Sequence, residues 1–223
     1  MRYCCIIEPM TTVIFDVDGT LVDTRAAIYP AFREVIRHFP NQPQPAEEVI
    51  RKTLGNPDTV IWEMLLPLAT EDERKAAFHL YQELVQRDFD LSQCLIPGVR
   101  EMLQELHTLG YALTTASNCG EEYLNQVLDA LDLRQYFTRP LCLESVGGTN
   151  KAQIIAEHLR VFPRDGAVMV GDRQVDVNAA RANGIPAIGC AFGFGEDAEL
   201  LGAATVVHHP SELPAAVKQL FAE

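Results

Sequence analysis

A doubly wound parallel α/β core interrupted by an all-helical insert is the fold this 223-residue chain predicts, on three observations. Short apolar runs alternate with segments of helical periodicity, as strands crossed over by helices on both faces of a parallel sheet require. The first run ends at Phe15 and the second begins at Ala112, a gap far longer than one crossover helix needs. The residues inside that gap carry helical spacing only.

The apolar runs, in order, are Val13 to Phe15, Ala112 to Thr115, Leu141 to Leu143, Ala167 to Val170, Ala187 to Cys190 and Thr205 to Val207. Runs without polar alternation read as strands buried on both faces. Between them, Pro97-Gly98 opens a helix that runs to about Leu109 and stops at Gly110. Another starts near Glu121, a third covers Ala152 to Leu159 after Gly147-Gly148, and a fourth runs from about Val175 to Asn183-Gly184. In the insert, Ile28, Phe32, Val35, Ile36 and Phe39 recur at helical spacing, as do Val60, Ile61, Met64, Leu65 and Leu68. A third inserted helix spans about Glu71 to Arg87. Asn41 to Pro45 and the Gly55-Asn56-Pro57-Asp58 turn punctuate these helices. The domain division expected is residues 1–23 with 91–223 as the core, and residues 24–90 as a helical cap.

With 18 Lys+Arg against 31 Asp+Glu the formal net charge is −13, and no basic stripe compensates. That balance argues against a nucleic-acid partner, whose phosphates are held by Lys and Arg. With 48% apolar and 22% charged residues, the composition is that of a chain able to bury a core. The six cysteines, Cys4, Cys5, Cys94, Cys119, Cys142 and Cys190, form no CxxC pair and no zinc spacing, and read as reduced thiols of a cytoplasmic protein. Cys4 to Ile7 is too short for a signal-peptide core, and no stretch is long enough to span a bilayer. Met10 is an alternative start, which makes residues 1–9 either an extra edge strand or a tail. Oligomeric state is not legible.

The chemistry sits where the strands end. The first strand runs into Asp16-Val17-Asp18-Gly19-Thr20, the second into Ser117-Asn118, and the fourth into Gly171-Asp172-Arg173-Gln174-Val175-Asp176. In a parallel sheet these ends share one edge, where ligands of doubly wound folds bind. Asp16, Asp18, Asp172 and Asp176 so gathered repel one another unless a cation neutralises them. Oxygen-only donors select a hard ion, and a few carboxylates plus water suit Mg²⁺. Asp16 and Asp18, turned toward one substrate by Gly19, can divide nucleophilic attack and proton transfer between them. A bare Asp-Gly is ordinarily a turn, as is Gly193-Phe194-Gly195, and His208-His209-Pro210 reads as a surface loop rather than a metal site.

From residue 11 to about 207 the ordered motifs resemble the haloacid dehalogenase superfamily, in its phosphoglycolate phosphatase-like branch with a helical cap on a Rossmann-like core. The resemblance implies that Asp16 is the nucleophile and Asp18 the general acid/base. It further implies Mg²⁺ held by the Asp16 side chain, the Asp18 carbonyl and Asp172, with Asp176 supporting the ion through water or a neighbouring contact. Ser117, with Asn118 beside it, matches the group that holds the transferring phosphoryl, and Lys151 stands where the family's lysine is expected, followed by Ala152 rather than the more usual Pro. A carboxylate at position 18 favours phosphate chemistry over dehalogenation. Gly55 is followed by Asn56-Pro57-Asp58 with no lysine in reach, which discounts the phosphonate-cleaving relatives.

The activity implied is Mg²⁺-dependent hydrolysis of a small phosphomonoester, phosphoglycolate-like or nucleotide-type, through an aspartyl-phosphate. A sugar-phosphate mutase of the same fold and a non-catalytic regulatory binding protein stay open as alternatives. The cap loop carrying Arg51, Lys52, Gly55 and Asn56 is expected to face the site and choose the leaving group, with Arg25 contributing.

Overall fold

The computed structural model describes residues 11–222 except residue 89, so the reading of residues 1–9 and Met10 lies outside the described residues. Six parallel strands form one sheet: β1 (Thr12–Phe15), β2 (Ala112–Ser117), β3 (Leu141–Cys142), β4 (Ala167–Gly171), β5 (Ala187–Cys190) and β6 (Thr205–Val207). Their order is β3-β2-β1-β4-β5-β6. β1 is the first strand in sequence and sits between β2 and β4, so the chain winds outward from it in both directions. That is a topological switch point, which opens a crevice at the carboxyl ends. Register makes the ends coincide, because Phe15 pairs with Thr115 on one side and Val170 on the other.

Alternate residues of each strand point to opposite faces. Val13, Phe15, Leu113, Val168 and Val170 bury one face against apolar residues of α5 (Val99–Thr108), α6 (Glu121–Ala130) and α9 (Leu213–Leu220). Ile14, Ala116, Met169 and Ala187 bury the other against α7 (Lys151–His158) and α8 (Gln174–Ala182). α9 carries no sequence expectation. It buries Leu213, Pro214 and Val217.

The insert is built of four helices among the described residues: α1 (Arg25–Arg37), α2 (Glu47–Thr53), α3 (Asp58–Leu65) and α4 (Glu71–Asp88). They share a core of their own that includes Phe32, Val35, Ile50, Trp62, Leu65 and Leu84. Phe32 stacks on Tyr81 at 5.1 Å, and Trp62 meets both rings edge-on at 5.7 Å. Three points differ from the sequence expectation. α2 was not expected, since only Ile50 and Thr53 of it are buried and two residues make no period. Leu68 does not extend the apolar face of α3, which ends at Leu65 ahead of Pro67; Leu68 is 73% exposed. β3 is likewise one residue shorter than expected, because Leu143 turns into a 3-10 segment. Among the described residues no helix is long and apolar enough to cross a membrane, and Cys94, Cys119, Cys142 and Cys190 are free thiols.

Candidate active site

The ends of β1 and β4 deliver carboxylates to one buried cluster. Asp16 leaves β1 with its N–H on the Val170 carbonyl at 2.8 Å, which fixes its backbone to β4. Lys151, the first residue of α7, reaches under the sheet edge and is 1% exposed. Its Nζ lies 2.8 Å from Asp16 Oδ1 and 2.5 Å from Asp176 Oδ1. Burial pulls the Lys151 ammonium pKa down, but Asp16 and Asp176 more than offset that and hold it charged, above its ordinary value. α7 starts here because Asn150 and Gln153 form a reciprocal cap on its first turn.

Oxygen atoms of Asp16, Asp172 and Asp176, all buried, lie within 4.8 Å of one another. Burial, then repulsion from Asp176 and opposed by the Phe194 N–H, pushes Asp172 up to about 7. Asp16 is raised too, by burial first, against the attraction of Lys151 and with Asp176 and Asp172 adding repulsion. Asp16 Oδ2 and Asp172 Oδ1 are buried without a partner. Unpaired carboxylate oxygens in a dry site are costly, and a hard divalent cation between them satisfies both. The donor set therefore fits such an ion. Asp176 differs from the other two, since Lys151 occupies one of its oxygens and the Arg173 N–H donates to the other at 3.0 Å.

Three glycines make room for Asp172. Gly19 has φ +84, and a Cβ there would lie 2.3 Å from Asp172 Oδ2. At Gly193 a Cβ would come within 2.3 Å of Asp172 Cβ, and at Gly195 within 1.9 Å of the Asp172 carbonyl oxygen. The loop they belong to donates two N–H groups, from Phe194 at 2.6 Å and Gly195 at 3.2 Å, to Asp172 Oδ2. The reading of Gly193-Phe194-Gly195 as an ordinary turn is corrected: the segment seats Asp172.

Asp18 points away from this cluster. Its Oδ1 accepts from the Tyr123 hydroxyl at 2.7 Å and from Thr24 Oγ1 at 3.1 Å. Burial raises its pKa, and the two hydrogen bonds oppose that rise without cancelling it. Burial in turn keeps Tyr123 a neutral phenol, with the Asp18 charge reinforcing the effect. Neither Tyr123 nor Thr24 carries a sequence signal, because their role comes from the meeting of α6 and α1 with the β1 loop.

Ser117 is 2% exposed at the end of β2, and its Oγ accepts the Cys119 N–H at 3.3 Å. Asn118 was expected to donate to the phosphoryl group. Its Nδ2 instead donates to the Gly55 carbonyl at 2.8 Å, while its Oδ1 is buried without a partner. Gly55 and Asn56 line the cleft with Asp16, Asp18 and Ser117. Arg51 and Lys52 do not: both are exposed on α2, and Lys52 pairs with Glu48 at 2.6 Å. Arg25 is also turned aside, bonded to Asp23 and lying 5.0 Å above the Phe194 ring.

A helical cap over a doubly wound sheet is the architecture that comparison with known proteins also returns. The family profile described as "Haloacid dehalogenase-like hydrolase" matches residues 13–190. The chain belongs to that family of enzymes. It is 34% identical to "Probable phosphatase IndB" of Dickeya dadantii, over 82% of this chain and 81% of that one. It is 30% identical to a "Phosphoglycolate phosphatase" of Caulobacter vibrioides, over 92% of this chain and 90% of that one. Among solved structures, a haloacid dehalogenase-like family hydrolase from Streptococcus pneumoniae superposes with a TM-score of 0.81 at 25% identity, covering 93% of this chain and 98% of its own.

Proposed function

We propose that this enzyme is a Mg²⁺-dependent phosphatase of small phosphomonoesters that works through an aspartyl-phosphate on Asp16. The observation that carries the reading is the state of Asp16. One of its oxygens is fixed by Lys151, and the other is buried at the floor of the cleft with no partner. A buried carboxylate oriented by Lys151 and otherwise unpaired keeps lone pairs both for an ion and for attack on phosphorus. The relatives named as phosphatases support the reaction class.

Asp16 and Asp172 would hold the ion, with the Asp18 carbonyl as the family resemblance implies and Asp176 anchoring Lys151 beside them. Bound there, Mg²⁺ supplies charge neutralisation to the phosphoryl oxygens. Asp16 attacks phosphorus, forming an acyl phosphate as the ester P–O bond breaks. The departing alkoxide takes a proton from Asp18, whose burial-raised pKa favours the protonated form that this step needs. Asp18, now a carboxylate, removes a proton from water, which attacks phosphorus, releases phosphate and regenerates Asp16. The Ser117 hydroxyl lines the cleft where charge spreads over the equatorial oxygens, and Lys151, paired with Asp16, adds its positive charge from beneath.

The test is phosphate release from para-nitrophenyl phosphate with Mg²⁺ and with chelator, alongside Asp16→Asn. Release that needs the metal and disappears in the variant supports the assignment. Undiminished turnover by Asp16→Asn refutes it.

A further inference from the structure

The walls of the cleft have a composition that phosphoryl transfer does not explain. The cleft is about 1480 Å³, and among the described residues its lining contains no Lys and no Arg. Lys151 lies below the floor, occupied by Asp16 and Asp176. Acidic groups face the cleft from cap and core alike: Asp58 from the first turn of α3, Glu83 from α4, Glu121 and Glu122 from the first turn of α6, and Glu144 after β3. Asp58, exposed on α3, is pushed up to about 6, by desolvation first and then by repulsion from Asp18 and Glu144, so these three carboxylates share one field. The rings of Phe78, Tyr81 and Tyr123 lie between them.

Three cations of the cap and the β1 loop are committed elsewhere. Arg33 pairs with Glu47, Lys52 with Glu48 and Arg25 with Asp23. His79 on α4 is the one basic side chain in the described lining. The reacting end of the same cleft is marked independently by Asp16, 2% exposed with Oδ2 unpartnered.

A substrate presents its phosphate to that end and its alcohol to these walls. A carboxylate on the alcohol would enter a negative field with neither Lys nor Arg to receive it. An ammonium would find counter-charge at Asp58, with the aromatic side chains of Phe78, Tyr81 and Tyr123 in the same lining. We infer, resting on the phosphatase reading above, that the substrate class is phosphomonoesters of amino alcohols, with neutral alcohol esters second and carboxylate-bearing esters last.

Three esters of near-equal size test the order: 3-aminopropyl phosphate, n-butyl phosphate and 2-carboxyethyl phosphate, with para-nitrophenyl phosphate as the generic control. The expected kcat/KM of the amine exceeds that of the butyl ester about tenfold and that of the carboxylate about a hundredfold. Asp58→Asn should cut the amine-to-butyl ratio about fivefold and narrow the gap to the carboxylate ester. Glu83→Gln, on the exposed side of α4, should move both ratios the same way by less. Wild-type enzyme that hydrolyses the aryl phosphate but treats the three esters alike, or prefers the carboxylate, overturns this inference and leaves the phosphatase reading standing. No turnover of any of the four overturns both.

Discussion

Lys151→Met removes the one ammonium that separates the buried carboxylates, while keeping an unbranched apolar stem. Asp16, Asp172, Asp176 and Lys151 together carry a formal −2, and the substitution leaves −3 in the same dry volume. Breaking a buried ion pair from one side costs about 3–5 kcal/mol. Asp16 and Asp172 are already pushed toward protonation by burial, so uptake of a proton relieves part of that cost. A loss of about 3 kcal/mol in chelator follows. For a chain of this size each kcal/mol moves the melting midpoint by about 2–4 °C, so Tm should fall by about 6–12 °C. Mg²⁺ adds two positive charges to the same cluster, and should therefore raise the midpoint of Lys151→Met by more than that of the unaltered protein. Adding Asp176→Asn takes away the second partner of the pair, and should recover about 1–3 kcal/mol as a non-additive coupling. Thermal and urea melts of the four proteins, with chelator and with Mg²⁺, provide the measurement. Equal midpoints for the unaltered protein and Lys151→Met in chelator, or strict additivity in the double variant, would refute the reasoning.

Further outcomes follow from the same geometry. Asp18→Asn should lower kcat by about 10²–10⁴ with the circular dichroism spectrum unchanged, and phosphoenzyme should accumulate on the intact-mass spectrum if attack outpaces hydrolysis. Tyr123→Phe deletes the 2.7 Å bond that opposes the burial-driven rise at Asp18, so the Asp18 pKa should climb and the alkaline limb of kcat/KM move to higher pH; an unmoved limb counts against Asp18 as the acid. Gly195→Ala forces the Phe194 loop off Asp172, and should weaken Mg²⁺ binding about 10–100-fold by titration calorimetry. His158, fully buried beneath β2 with Nε2 2.8 Å from the Thr115 carbonyl, is pushed down to about 4, chiefly by burial. Its folded pKa lies below the unfolded value near 6.5, so its contribution is complete above about 6.5 and lost as pH falls toward about 4. That window is worth about 3 kcal/mol, and the urea midpoint of His158→Gln should show a correspondingly flatter pH dependence across it.

The sheet was legible because its central strands β1, β2, β4 and β5 are buried along their whole length, and register then carries Asp16, Ser117 and Gly171-Asp172 to one edge. The inserted helices were legible where a broad apolar stripe exists, as in α1, which buries Ile28, Ala31, Phe32, Val35 and Ile36. α2 buries too little to show a period. The site residues that went unread are those whose meaning depends on a partner distant in sequence. Tyr123 touches Asp18 across 105 positions, and the glycines at 193 and 195 matter only because the Asp172 backbone and side chain pass against them. Arg51 and Lys52 were expected at the cleft because cations suit a phosphate ester; yet charge complementarity with Glu48 on the same helix turns Lys52 aside, and no apolar contact draws either one inward.

Cap and core meet through groups that sit next to the chemistry rather than within it. Asn118, beside Ser117, donates to the Gly55 carbonyl, and Arg173, beside Asp172, donates to the Leu54 carbonyl at 2.8 Å. Phe194, whose N–H holds Asp172, packs its ring into the cap's own core. Gly55 has φ +80, and a Cβ there meets nothing closer than Arg173 Cγ at 3.6 Å, so its requirement is backbone conformation rather than space. That left-handed turn lets successive carbonyls of the cap loop serve two different strand ends. Each of the three strand ends beside β1's own thus loses a cap contact when the cap lifts, at the residue adjoining or seating a site group. On the proposed mechanism, closure over a substrate and ordering of the groups proposed to hold its phosphoryl group and metal would therefore be one mechanical event, a coupling expected of a lid that excludes water from the reaction.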